Sequence, residues 1–214
     1  MEESKMILYR KAEMNELKQI TEMCAQAYRN YPLFHILRTE FKSHDQYFAF
    51  LTALEHIYAK TFIRRRLCLV GTQAGRIVSV AMLQNPQIPS IGIIEYLRNG
   101  GAAIFKHANI FLVTSFLKLV DRTEAARTKI TEPNWYLANL VVNQKLQGQH
   151  LGSDMLKKGV LPFIKQHKGK LLTFNTNTEQ NSKFYRKNDF IEFDRRFLTW
   201  KNNQLENWSF LMHL

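Results

Sequence analysis

A chain of 214 residues, 45% hydrophobic and 22% charged, has the length of one domain and enough apolar content for a sizeable core. Thirty Lys and Arg against 18 Asp and Glu leave a formal charge of +12, which favours anionic partners, whether nucleic acid or a small polyanion. The sequence lacks a long uncharged apolar run, and MEESKMILYRKAEMN opens on carboxylates rather than a cationic leader. No membrane span is therefore expected, and a cytoplasmic location is. Cys24 and Cys68 fall in apolar stretches and read as buried thiols. No Cys/His cluster has metal-ligand spacing, so no metal is expected.

In chain order, residues 6–10 read as a short first strand. Leu17, Ile20, Met23, Cys24, Ala27 and Tyr28 recur at helical spacing, and Tyr31-Pro32 ends that helix. Leu33, Phe34, Ile36 and Leu37 suit a short helical turn. Tyr47, Leu51, Leu54 and Tyr58 mark a longer helix from about His44 to Arg65; Arg64, Arg65 and Arg66 read as its solvated basic end. RLCLVGT and RIVSVAMLQ read as two strands joined by a turn at Gln73-Ala74-Gly75.

Residues 88–131 are helix-like around Ile91 to Phe105 and again from Ile110 to Lys129, with Gly100-Gly101 between them. So short a segment cannot sustain its own core, and it reads as an insertion in a single domain of residues 1–214. Phe105, Phe111 and Phe116 are expected to bury against the sheet. The insertion would then line or lid a site for a partly apolar molecule.

WYLANLVV, residues 135–142, has the composition of a buried strand. The polar stretch NQKLQGQHLGS leads into a helical pattern of Leu151, Leu156, Val160, Phe163 and Ile164. LLTF is a further strand, followed by NTNTEQNSKFYRKNDF. A loop that feeds a helix N-terminus is an anion site, because the first backbone N–H groups of a helix are unpaired and carry partial positive charge. RRFLTWK and NWSFLMHL, with a turn at residues 201–204, complete the chain as a final hairpin.

LVVNQKLQGQHLG resembles the acetyl-coenzyme A signature of the GNAT superfamily of N-acetyltransferases, with His150 where that signature usually has glycine. Asn181, then Phe184-Tyr185, then Asp189-Phe190 is similar to the superfamily's second signature, with Asp189 at its usual glycine. The resemblance implies an α/β fold (α+β mixed sheet), a GNAT-like acyl-CoA N-acyltransferase fold with a helical insertion between the third and fourth strands. It implies acetyl-CoA as cosubstrate, its pyrophosphate held by backbone N–H groups of Gln147, Gly148, Gln149, His150, Leu151, Gly152 and Ser153. By the same resemblance Leu140, Val141 and Val142 pair with the pantetheine arm on a strand splayed from its neighbour, and Asn181 bonds that arm. Tyr185 would be the general acid that protonates the leaving thiolate.

Helical dihedrals at His150 would make it a passive replacement, whereas a positive φ there would put cofactor binding in doubt. Asp189 tolerates the left-handed turn that glycine would make. Residues 135–142 contain no carboxylate to act as base. Glu95 and Glu132 are the nearest candidates, and the base stays unassigned.

The implied function is acetyl-CoA-dependent N-acetyl transfer to a primary amine of a small molecule or peptide by direct attack. Two alternatives remain open. One is a catalytically silent acyl-CoA-binding sensor. The other is a basic nucleic-acid-binding protein using RKNDFIEFDRRFLTWK, although the acidic residues in that segment argue against nucleic acid. Oligomeric state is not readable from the sequence.

Overall fold

The computed structural model describes residues 6–214. Seven strands run in the chain as β1 (Leu8–Lys11), β2 (Cys68–Gln73), β3 (Arg76–Gln84), β4 (Trp135–Val142), β5 (Leu171–Thr176), β6 (Ile191–Trp200) and β7 (Asn203–His213). They form one mixed sheet in the order β1-β2-β3-β4-β5-β7-β6. All pairs are antiparallel except β4 with β5. The β2–β3 hairpin closes on Ala74-Gly75, whose positive φ values of 47° and 74° match the twist of the flanking strands.

The helices are α1 (Leu17–Tyr28), α2 (Pro32–His35), α3 (His44–Arg64), α4 (Ile93–Arg98), α5 (Ile110–Glu124), α6 (Leu151–Asp154), α7 (Leu161–Gln166) and α8 (Glu179–Arg186). α6 and α7 are one continuous helix, widened to π geometry over Met155–Val160. Pro162 accounts for the widening, since it has no N–H to return to the carbonyl four residues earlier. Adjacent strand residues define two faces. Trp135 packs edge-on to Phe163 of α7, 5.9 Å between ring centroids, so α7 covers that face. Tyr136 faces the other way, toward α3 and α5.

Cys24 and Cys68 are free and buried. The strand after α8 is longer than expected, starting at Ile191, and its hairpin turn is the two residues Lys201-Asn202.

Residues 88–131 lie between the third and fourth strands and contribute helices but no strand to the sheet. Their buried side chains Ile104, Phe116 and Leu119 pack with Leu37, Phe50 and Leu51 near α3 and with Trp200 at the tip of the last hairpin. Burial against the sheet alone is thus corrected, and so is the burial of all three phenylalanines. Phe116 is 4% exposed, but Phe105 is 45% and Phe111 is 78%.

The basic end of α3 is solvated as expected at Arg64 and Arg66, but it also makes specific contacts to the insertion. Arg65 Nε donates to Glu95 Oε1 at 2.7 Å, its Nη2 pairs with Glu95 Oε2, and its Nη1 donates to Pro89 O at 2.6 Å. Arg64 donates to Asn99 Oδ1, and Asn99 Nδ2 donates to Thr61 Oγ1 at 2.9 Å. The arginines tie the start of the insertion to α3. Arg65→Ala should cost about 1 kcal/mol, a fall in melting temperature of about 2–4 °C. Hydrogen exchange should quicken in α4 before it changes in β2 and β3.

Candidate active site

β4 and β5 pair only at Trp135↔Leu172 and Tyr136↔Thr173. Beyond Tyr136 the strands diverge, while the other edge of β4 stays bonded to β3 through Val142. The divergence opens a cleft of about 1740 Å³. Residues 140–142 line it with a backbone edge that β5 does not cover.

The loop after β4 closes one end. Gly148 and His150 adopt left-handed φ values of 83° and 60°. The passive helical geometry expected of His150 is therefore corrected. Histidine is among the residues that enter this region more readily than most, and the side chain is exposed. Asp154 N–H bonds to His150 O at 2.9 Å, so the N–H groups of Leu151, Gly152 and Ser153 precede the intrahelical ladder. A left-handed residue followed by right-handed ones turns consecutive N–H groups to one concave side, the geometry of an anion nest. Gln147, Gly148, His150, Leu151, Gly152 and Ser153 all line the cleft; Gln149 does not. Lys157 adds positive charge to the same wall, and Lys183 and Lys187 add it from α8 and its end across the cleft.

α8 forms the facing wall. Thr178 caps it, Oγ1 accepting from Asn181 N–H at 3.1 Å. Asp189 has φ 68°, and Phe190 N–H bonds to Tyr185 O at 3.2 Å, so the aspartate makes the left-handed helix stop expected of it. Asn181 and Tyr185 both line the cleft. Tyr185 packs on Phe174, ring centroids 4.0 Å apart, and burial raises its phenol above the ordinary range, helped by nearby Tyr31. Tyr31, which the sequence did not single out, accepts from Asn177 N–H at 2.7 Å and lies 3.1 Å from Thr176 Oγ1. The Asn181 side chain lies near the Tyr31 phenol and favours its ionised form.

Neither carboxylate proposed from sequence reaches the cleft. Glu95 is held by Arg65, which lowers its pKa, and Glu132 is exposed near His213. Of the carboxylates that do, the most deeply buried is Glu55, in the middle of α3 and 2% exposed. Asn139 Nδ2 donates to its Oε2 at 3.5 Å, and burial raises its pKa to about 8.

A bulge brings the two together. β3 and β4 shift register between Met82↔Asn139 and Leu83↔Leu137, leaving Ala138 as an extra residue. Without it Asn139 would share Trp135's face; with it Asn139 turns to the face of Tyr136 and α3. The available signal was the stripe Leu51, Glu55, Tyr58 and Phe62, in which one charged residue occupies an apolar helical position. Glu124, at the end of α5, is a second carboxylate on the cleft wall, and burial raises its pKa too.

The arginines of residues 186–201 are each paired with a carboxylate: Arg186 with Glu192, Arg195 with Glu206 and Arg196 with Asp194. Among the described residues, no helix is long and apolar enough to cross a membrane.

Comparison with solved structures finds this fold over nearly the whole chain. Drosophila melanogaster polyamine N-acetyltransferase, which catalyses the formation of N-acetylagmatine, is similar at 15% identity and TM-score 0.66, covering 98% of this chain and 100% of that one. A mosquito arylalkylamine N-acetyltransferase-like protein, 5b, is similar at 13% identity and TM-score 0.61, with 98% and 100% covered. The C-terminal condensation domain of Ebony, in complex with β-alanyl-dopamine, gives 10% identity and TM-score 0.68, with 98% and 99% covered. No protein-family model and no curated protein matches the sequence. The likeness shows the fold: a seven-stranded mixed sheet of the GNAT N-acetyltransferase type.

Glu55 makes stability depend on pH. It titrates at about 8 in the folded protein, and near 4.3 when unfolded, to about half a unit. Between those values the folded state holds a proton that the unfolded chain has released, so stability falls as pH rises through the window. Glu55→Gln should therefore melt higher than wild type at about pH 9, by about 5 °C or more, and nearly equal it at about pH 5. Thermal scans across pH check this.

Proposed function

We propose that this chain is an acetyl-CoA-dependent N-acetyltransferase that acetylates a primary amine of a small molecule or peptide by direct attack. One observation carries the reading: a single cleft joins an uncovered strand edge, a helix-opening N–H nest, a protonated phenol and a buried carboxylate. The similar folds include enzymes named for acetylating polyamines and agmatine, which supports an amine acceptor.

The residues present fit the cosubstrate, which would bring the acetyl group as an activated thioester. Residues 151–153 offer unpaired N–H groups to phosphate without needing side-chain charge, and Lys157, Lys183 and Lys187 raise the anion's local concentration. The positive φ of His150, which from sequence alone counts against cofactor binding, fits it instead, because a left-handed residue ahead of right-handed ones is the backbone geometry of an anion nest. The uncovered edge at residues 140–142 can pair with an amide-bearing arm, and an N–H there can polarise a carbonyl. Asn181 is placed to bond the same arm.

The proton work divides between two groups. Tyr185, raised by burial, keeps its proton at working pH and can donate it to the departing thiolate. Glu55, poised at about 8, can accept the proton that the amine must lose. A cation entering beside Glu55 lowers that pKa and helps it ionise. This carboxylate favours an enzyme over a silent acyl-CoA sensor, and the paired arginines favour either over a nucleic-acid surface.

Two substitutions separate binding from chemistry. Gly152→Asp sets a carboxylate at the helix opening, where an added Cβ already meets Phe184 Cζ at 3.1 Å. Calorimetry should show acetyl-CoA affinity lost in a folded protein; unchanged affinity would refute the cofactor site. Tyr185→Phe keeps the ring and removes the proton, so kcat should fall about 10²–10⁴-fold with cofactor affinity little changed. Turnover within about twofold of wild type would leave Tyr185 as a packing residue.

A further inference from the structure

The acetyl-transfer reading needs one carboxylate near the uncovered strand edge, and Glu55 supplies it. The cleft holds others that this reading does not use. Glu124 closes α5, and Asp121 lies one turn earlier on the same wall. Burial raises the Glu124 pKa, and the charge of Asp121 adds to the effect.

Among the described residues, Arg127 is the cation paired with Glu124, and the pairing is loose because its guanidinium has other partners. Arg127 Nε donates to Asn134 Oδ1 at 2.7 Å and Nη1 to Gln84 Oε1 at 3.2 Å, while its guanidinium lies over the Tyr136 ring. It comes no nearer to Glu124 than 3.7 Å. Tyr136 accepts from Asn175 Nδ2 at 3.0 Å, and its phenol lies close enough to Glu124 for each to influence the other's proton. With 29% of its side chain open toward the cleft, Glu124 remains under-compensated.

Tyr58 and Tyr96 line the same cleft as the two carboxylates, stacked with ring centroids 6.1 Å apart and 13° between their planes. Both phenols feel the charge of Glu55 and of Glu124. Glu55 and Glu124 line the same cleft, one from the middle of α3 and the other from the end of α5. Aromatic walls with two carboxylates suit a short alkyl chain that carries a positive charge at both ends.

We infer that Glu124 is the far end of the acceptor site, holding the second ammonium group of a linear diamine whose first amine is acetylated beside Glu55. This rests on the acetyl-transfer reading for the reaction, but not for the binding preference. Glu124 is a specificity residue: it is remote from the reacting nitrogen and selects which amines dwell there.

The test compares 1,5-diaminopentane with 1-aminopentane by calorimetric titration of the CoA-loaded protein, in which no turnover occurs. Wild type should bind the diamine about 10–100 times more tightly. Glu124→Gln should bring that ratio to within about threefold of unity while leaving monoamine and CoA affinities unchanged. Equal affinities in wild type need no variant to interpret and would overturn the inference. So would a diamine preference that survives in folded Glu124→Gln. Thiol release from acetyl-CoA with the diamine is followed in parallel. A diamine preference without thiol release refutes acetyl transfer and leaves the Glu124 site standing.

Discussion

The divergence of β4 from β5 is the constraint on which the rest depends. A parallel pair that stopped nowhere would bury the backbone of residues 140–142 in a ladder and leave no cleft. The wedge is aromatic. Tyr31 follows α1 and anchors on the end of β5 through Thr176 and Asn177, while Tyr28 packs edge-on to it, 5.5 Å between centroids. On the other side Gln144 Nε2 donates to Gln26 O at 3.1 Å and ties the loop after β4 to α1. One helix end thus fixes both lips, and the unpaired edge between them persists because solvent or an occupant can satisfy it.

Chemistry enters the cleft through an irregularity rather than through regular structure. The extra residue at Ala138 turns Asn139 toward α3, where its amide meets Glu55. A glutamate with so little exposure costs stability whenever it is ionised. The same burial sets its proton affinity near the range in which an amine must be deprotonated.

Much of this arrangement was legible in the sequence because its signals are local. WYLANLVV, the loop with Gly148 and Gly152, and the Asn181–Tyr185 helix each carry their pattern within a few residues. The insertion was legible from its length and aromatic content. What escaped detection depends on long-range contacts. Glu55 and Asn139 are 84 positions apart, and the bulge that joins them leaves no mark in composition. The ionic clamp of Arg65 on Glu95 spans 30 positions, so the arginines read as an ordinary helix end. Phe105 and Phe111 failed the expectation of burial because an insertion flanking an open cleft has a rim as well as a buried side.

The way the insertion is attached also bears on how the protein can diversify. It adds no strand to the sheet, and α3 holds it through Arg64 and Arg65 at its end and through the buried cluster of Phe50 and Leu51 with Ile104, Phe116 and Leu119. Glu55 sits about 15 Å away along the same rigid helix, at 1.5 Å of rise per residue. The exposed positions between β3 and β4, outside that buried cluster, can therefore change without shifting strand register. On the proposed function, those rim positions are where substrate range can drift while the proposed reaction centre stays fixed.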